Sequence, residues 1–246
     1  MKVSAEDKEK TRIRLLEAAV DVITEKGFKS ASMREIARRA EVGDATIYNY
    51  FPTKEKLLYG YCEHVQDLVK DELTSIENFH EYTLQEQLHQ LVESELNAWL
   101  PAREFLQQVF ELTYATPVAG HELLATTREK FTAMAVDLLD AAIEAGEIPD
   151  QPYKDLLPRL MWDYMSAILS YWLKDDSDEF ANTTHLTDKS IEIAYQLLHS
   201  GLIGKAIDLL SFLFRTHVLK HLNSIDSIVH APDLAKAKRR FMEGKE

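Results

Sequence analysis

Apolar residues in this chain recur three and four positions apart along most of its length, and no stretch alternates apolar and polar convincingly. That periodicity predicts helices rather than strands. The first runs from about Glu6 to Lys26, with Ile13, Leu16, Val20 and Ile23 as its stripe, Ala19 beside them, and Gly27 as its stop. Two short helices follow. One opens at Ser32, with Glu35 three residues on as a capping box, and places Ile36, Ala37 and Ala40 at helical spacing. The turn Glu41-Val42-Gly43-Asp44 leads to the other, Ala45 to Phe51, which Pro52 ends. Its Ile47 and Phe51 face inward, leaving Thr46, Tyr48, Asn49 and Tyr50 to project. Two short helices joined by four residues, the second narrow and rich in hydrogen-bonding groups, read as a helix-turn-helix able to enter a DNA major groove.

Thr53 then caps a long helix from Lys54 towards Glu77, a stiff lever carrying Leu57, Leu58, Tyr61, Val65, Leu68, Val69 and Leu73. Thr83 and Glu86 form a second capping box, opening a helix through Leu88, Leu91, Leu96 and Trp99 that Pro101 breaks. The next carries Phe105, Val109, Phe110 and Tyr114. Thr116-Pro117 opens another, expected to continue unbroken past Phe131, Met134, Leu138 and Ile143 to Gly146. From Leu160 to Leu173 the only charged residue is Asp163. A helix so apolar must be surrounded, which suggests one face towards its own core and one towards a partner subunit. An acidic loop over 174–186, a helix from about Thr187 to Ser200 and another from Ile203 to Leu222 complete the pattern. The expected architecture is all-α: a three-helix helix-turn-helix domain over 1–56, a larger helical bundle over 57–222 for ligand binding and dimerisation, and a tail over 223–246.

The N-terminal residues resemble the DNA-binding domain of the tetracycline-repressor (TetR) family of bacterial transcription regulators. The resemblance rests on Gly27-Phe28, on Ser32-Met33-Arg34-Glu35-Ile36-Ala37, and on Ile47-Tyr48-Asn49-Tyr50-Phe51-Pro52-Thr53-Lys54-Glu55-Lys56-Leu57-Leu58. It covers about sixty residues. It implies a homodimer reading a palindromic double-stranded DNA operator, with a small-molecule effector in the C-terminal bundle releasing repression. Arg34, Tyr48, Tyr50 and Lys54 are then expected near phosphate and sugar, and Thr46 and Asn49 nearer to bases. Lys10, Arg12 and Arg14 lie where family members touch the backbone, or are solvated surface charges. Two positions depart from the pattern. Glu41 replaces the usual turn glycine, and Asp44 stands where relatives often carry a neutral or basic residue. Asp44 is either a helix cap that phosphate would repel or a reader of a cytosine amine; the cap is the favoured reading.

With 246 residues, 46% hydrophobic, 28% charged and only 8 Gly and 7 Pro, the chain has the composition of an ordinary globular protein of long helices. Its net charge of −13 is unevenly placed. Residues 1–56 hold 12 basic and 10 acidic side chains, and the remainder holds 16 and 31. The acidic part would be repelled by phosphate, which orients the N-terminal end towards a duplex. The N-terminus is too charged for a secretion signal, no apolar run approaches membrane-spanning length, and the lone Cys62 excludes an intrachain disulfide. A cytoplasmic protein without membrane contact is expected.

No catalytic signature and no phosphate-cradling glycine loop is present, so neither an enzyme nor a cofactor is expected. His217 and His221 are spaced as metal ligands often are, but they lack an obvious third ligand, and no metal is expected. Trp99, Phe110, Tyr114, Phe131, Trp162 and Asp163 are the candidate ligand residues, for an effector largely apolar in character. The aromatic residues could equally be ordinary core, and Asp163 could have a buried structural partner rather than a cavity; for each, the structural reading is the favoured one. The basic tract Ala235-Lys-Ala-Lys-Arg-Arg reads as a solvated tail. Two other functions fit the same residues: a DNA-associated protein acting through a protein partner, and a helical enzyme or lipid-binding protein with a vestigial DNA-binding domain.

Overall fold

The computed structural model describes residues 4–115, 117–151, 155–213 and 216. Among them the secondary structure is helical, with no strand. They fall into two compact units, divided between residues 199 and 200. The His217–His221 pair, the basic tract and the tail over 223–246 lie outside the described residues.

The first unit begins with α1 (Ala5–Lys26), capped by Ser4 and stopped by Gly27 at φ 77°. Its buried side is wider than one stripe. Leu15, Leu16, Ala18, Ala19, Val22 and Ile23 are all buried, whereas Ile13 and Val20 are half-buried. The helix has several neighbours to satisfy, lying against α2 (Met33–Arg39), α4 (Lys54–Ser75) and α6 (Arg103–Ala115). The Ser32 hydroxyl accepts from the Glu35 N–H at 3.3 Å, but the Glu35 carboxylate turns away to Lys26, so half of the expected capping box forms. α3 (Asp44–Tyr50) begins one residue earlier than expected and buries Ile47, with Phe51 buried just beyond it.

Gly60 on α4 is where α3 meets the lever. A Cβ there would come within 2.8 Å of Phe51 Cε1, so the ring packs directly on the α4 backbone. Thr53 caps α4 by accepting from the Lys56 N–H at 3.1 Å. A boundary at residues 56–57 therefore falls inside a continuous helix.

The body follows as α5 (Leu84–Trp99), α6, α7 (Pro117–Leu123), α8 (Ala125–Glu144), α9 (Leu157–Trp172) and α10 (Ala181–His199). Thr83 and Glu86 complete both halves of their capping box. Pro101 sits in a single 3₁₀ turn, Leu100–Ala102, between α5 and α6. One expectation fails: the helix foreseen from Pro117 to Gly146 is two, α7 and α8, broken at Leu124 (φ −86°, ψ 2°). α10 also starts earlier than foreseen. The Asp175 carboxylate explains its start, accepting from the Thr183 N–H at 2.8 Å and hydroxyl at 2.6 Å and from the Ser177 hydroxyl at 2.6 Å. These bonds hold its pKa well below the usual carboxylate range.

α9 is only partly covered. Met165, Ile168, Leu169 and Trp172 are buried, whereas Leu160 and Tyr171 are exposed. In the second unit α11 (Leu202–Leu213) exposes Leu202, Leu209, Leu210, Phe212 and Leu213. No described helix is long and apolar enough to cross a membrane.

Candidate nucleic-acid interface and ligand cavity

The turn between α2 and α3 closes with two backbone bonds, Val42 N–H to Ala37 at 2.9 Å and Glu41 N–H to Arg38 at 3.2 Å. That is a Schellman closure, which places its C′ residue, here Glu41, at positive φ (56°). Gly43, by contrast, has ordinary extended angles and serves as the N-cap of α3. The backbone freedom of the usual turn glycine is thus demanded of the glutamate that replaces it.

From this frame Asp44, Tyr48 and Asn49 are exposed on α3, and Thr46 and Tyr50 are half-buried beside them. They share one short helix whose apolar side is occupied by Ile47. Asp44 is the first residue inside the helix rather than its cap, and its carboxylate pairs with Arg34 Nε at 2.9 Å. The cap reading is corrected accordingly.

Lys54 is also corrected. Its ammonium folds inward and donates to the carbonyls of Phe28, Ala31 (2.6 Å) and Lys29 (3.4 Å), above the Phe28 ring at 4.5 Å. An ammonium has three N–H groups, and three carbonyls take them. Burial lowers its pKa. Lys54 ties the start of α4 to the α1–α2 connection and leaves no N–H for a phosphate.

Some 9 Å further along α4, by helical rise from Gly60 to Gln66, a cavity of about 360 Å³ opens in the body. Trp99, Phe110, Tyr114, Trp162 and Asp163 line it together. Phe131 does not: it is buried behind Trp162, ring centroids 5.7 Å apart, so for this residue the core reading holds. Tyr114 is largely exposed and stacks obliquely on Phe110 at the mouth. Asp163 is exposed at the rim rather than held by a buried structural partner.

Sequence reasoning missed the polar floor. Gln66 on α4 donates from Nε2 to Glu95 Oε1 on α5 at 2.8 Å, and Thr127 on α8 lies on the same wall. Burial pushes the Glu95 carboxyl up to about 7, opposed by hydrogen bonds from Gln66 and Trp99. A signal was present: Glu95 lies on the apolar face of α5, between Leu91 and Trp99, four residues from each. Gln66 likewise interrupts the stripe of Cys62, Val65 and Val69.

The two regions correspond to two known domains. Residues 15–59 match the family model for bacterial regulatory proteins of the tetR family, and residues 87–213 match that for the tetracyclin repressor-like C-terminal domain. The chain belongs to the TetR family: it is a helix-turn-helix transcriptional regulator. Among its relatives is YttP of Bacillus subtilis (strain 168), described as a probable HTH-type transcriptional regulator. It is 29% identical over 177 residues, covering 71% of this chain and 80% of YttP. The HTH-type transcriptional regulator LuxR of Vibrio harveyi is 27% identical over 159 residues, 61% of this chain and 73% of its own. The crystal structure of the transcriptional regulator FadR from Bacillus subtilis, in complex with stearoyl-CoA, shares the fold at a TM-score of 0.57. It is 21% identical, covering 77% of this chain and 98% of that one. Regulators of this family bind DNA and dimerise.

Proposed function

We propose that the protein is a homodimeric repressor released from a palindromic operator when a small molecule enters the cavity in its body. The observation that carries this reading is that one helix borders both regions. α4 contributes Cys62 and Gln66 to the cavity wall, and less than two turns earlier its Gly60 lies against Phe51 at the end of α3. A ligand that shifts α4 therefore shifts the helix that meets the groove. It can do so only by binding one arrangement better than the other, with a coupling of about 1–3 kcal/mol in typical cases.

In this reading residues 1–56 form the DNA-reading head and 57–222 the effector and dimerisation body. Thr46 and Asn49 approach bases, Tyr48 and Tyr50 the backbone, and Arg34 a phosphate once it leaves Asp44. Trp99, Phe110, Tyr114, Trp162 and Asp163 contact the effector. Self-association is supported by exposed apolar residues: Leu160 and Tyr171 on α9, Ile193 and Leu197 on α10, and those of α11.

The test is to sequence the genomic fragments that the purified protein retains, then titrate one of them by fluorescence anisotropy. Tight binding at two inverted half-sites, weakening as salt rises, is expected. Equal, salt-insensitive retention of all DNA would sink the proposal.

A further inference from the structure

Three polar atoms on the cavity wall are buried without a hydrogen-bond partner: Gln66 Oε1, Glu95 Oε2 and Thr127 Oγ1. Their residues are 3%, 1% and 2% exposed. Buried polar groups are normally paired, because removing them from water without a partner is costly. These three come from different helices, α4, α5 and α8, and line one cavity whose remaining wall is largely apolar and aromatic. The floor's N–H donors are already engaged, since the Gln66 amide and the Trp99 indole both serve Glu95. What remains open to a visitor is an amide oxygen, a carboxylate oxygen and a hydroxyl, which all accept and of which, once Glu95 is ionised, only the hydroxyl also donates.

We infer that the cavity takes a compact amphipathic amine, whose ammonium donates to Glu95, Gln66 and Thr127 while its apolar body lies against Trp99 and Trp162. This deepens the effector reading above and rests on it. The surrounding charges favour a cation. Asp163 of α9 adds an acidic group at the rim. Arg128 of α8, the nearby cation, donates to His121 Nδ1 of α7 at 3.1 Å at the mouth. Cys62 of α4 is kept neutral by burial, which pushes its thiol pKa up. On the far side of α5, His89 faces Asp188 of α10 at 3.5 Å. α6 brings no charged side chain to the cavity. An ammonium near Glu95 is met by a carboxylate, whereas a carboxylate ligand there would meet a like charge with only the Thr127 hydroxyl to donate to it.

The experiment is calorimetric titration of the full-length protein, without DNA, by three probes of one shape: 1-naphthylmethylamine, 1-naphthoic acid and 1-naphthalenemethanol. The amine is expected to bind at least about tenfold more tightly than the other two. Its affinity should rise about tenfold from pH 6 to pH 8, as the ionised share of a carboxyl of pKa about 7 does. Glu95→Gln should abolish both the preference and the pH dependence. Thr127→Val should weaken the amine and keep the pH dependence. An amine that fails to bind, a naphthoate that binds as tightly, or a Glu95→Gln protein that keeps the pH profile would overturn the inference.

Release of the retained DNA fragment is measured separately. If stearoyl-CoA or naphthoate releases it and the amine neither binds nor acts, the effector reading stands and the amine chemistry falls. If the amine binds with the stated profile and DNA is unaffected, the cavity chemistry stands and ligand response falls.

Discussion

Arg34 Nε lies 2.9 Å from the Asp44 carboxylate, so a cation that fits the family pattern and an anion that departs from it meet across the α2–α3 turn. Both side chains are largely exposed, and such a pair contributes little to stability, about 0–1 kcal/mol. Its consequence is for DNA: it keeps one cation from the phosphates and sets an anion beside them. Asp44→Asn is expected to leave folding intact and tighten binding to operator and scrambled duplex alike. With Arg34 released to one more phosphate, the log–log salt slope should steepen by about 0.9. Anisotropy titrations at several salt concentrations measure both. A loss confined to the operator, about 1–3 kcal/mol at one base pair, would instead make Asp44 a cytosine reader.

Lys54 gives the contrary expectation. Because its ammonium is bound to the carbonyls of Phe28, Lys29 and Ala31, replacement removes structure rather than a phosphate contact. Lys54→Met keeps the apolar stem over Phe28 and loses the charge-assisted bonds, together worth about 1.5–3 kcal/mol on a half-buried ammonium. Melting should fall by several degrees, and amide exchange over residues 28–31 should quicken. The salt slope of the folded fraction should not change. A slope shallower by about one, with unaltered melting, would return Lys54 to the interface.

What was legible in the sequence was whatever depends on near neighbours. Caps at Ser32, Thr53 and Thr83, the stops at Gly27 and Gly146, and the break at Pro101 are local chemistry, and each appears in the structure. The break at Leu124 has no proline or glycine to announce it and was missed. So were the partners of Lys54 and Asp44, 23 to 26 and 10 residues away, since a side chain's choice between solvent and a distant carbonyl is made by packing. Five of the six candidate cavity residues line one space, the four aromatic ones because large apolar side chains near helix faces end up together, and Asp163 because it follows Trp162 on α9. The floor was passed over for the opposite reason: a glutamate in an apolar stripe registers as a break in the pattern, and only the structure gives it a function.

Glu41 carries a backbone angle that favours glycine. The closure after α2 repeats at the end of α8, where Gly146 takes positive φ (72°) and Glu147 N–H bonds back to Ala142. A non-glycine residue there costs about 1–2 kcal/mol. Glycine gives back about 0.5–1 kcal/mol through its freer unfolded chain. Glu41→Gly should therefore stabilise by up to about 1.5 kcal/mol, or up to about 3–6 °C in a chain of this size. Calorimetry checks it, and a lower melting temperature would show that the glutamate side chain holds the turn through contacts of its own.

The buried Glu95 also makes the stability of the free protein depend on pH in a direction that can be worked out. Its carboxyl sits near pKa 7 in the fold, above the ordinary glutamate value it regains on unfolding. The folded state therefore holds this proton over a range in which the unfolded chain has released it. Where the folded state binds more protons, stability falls as pH rises. The loss begins near the ordinary value, ends near pH 7, and amounts to about 3 kcal/mol for ionising the group in place. Other carboxylates, Asp175 among them, have lowered pKa values and act at more acid pH in the opposite sense. The comparison must therefore be between proteins at one pH. Glu95→Gln keeps the shape and cannot ionise, so it should match the wild type near pH 5 and exceed it near pH 7.5. Urea unfolding of both proteins at these two pH values gives the difference. Addition of a cationic occupant at pH 7.5 should close the gap from the wild-type side alone, because only there is a carboxylate waiting for it. Parallel stabilities for the two proteins at both pH values would mean that Glu95 ionises in the fold at no cost, with a counter-charge or water already beside it.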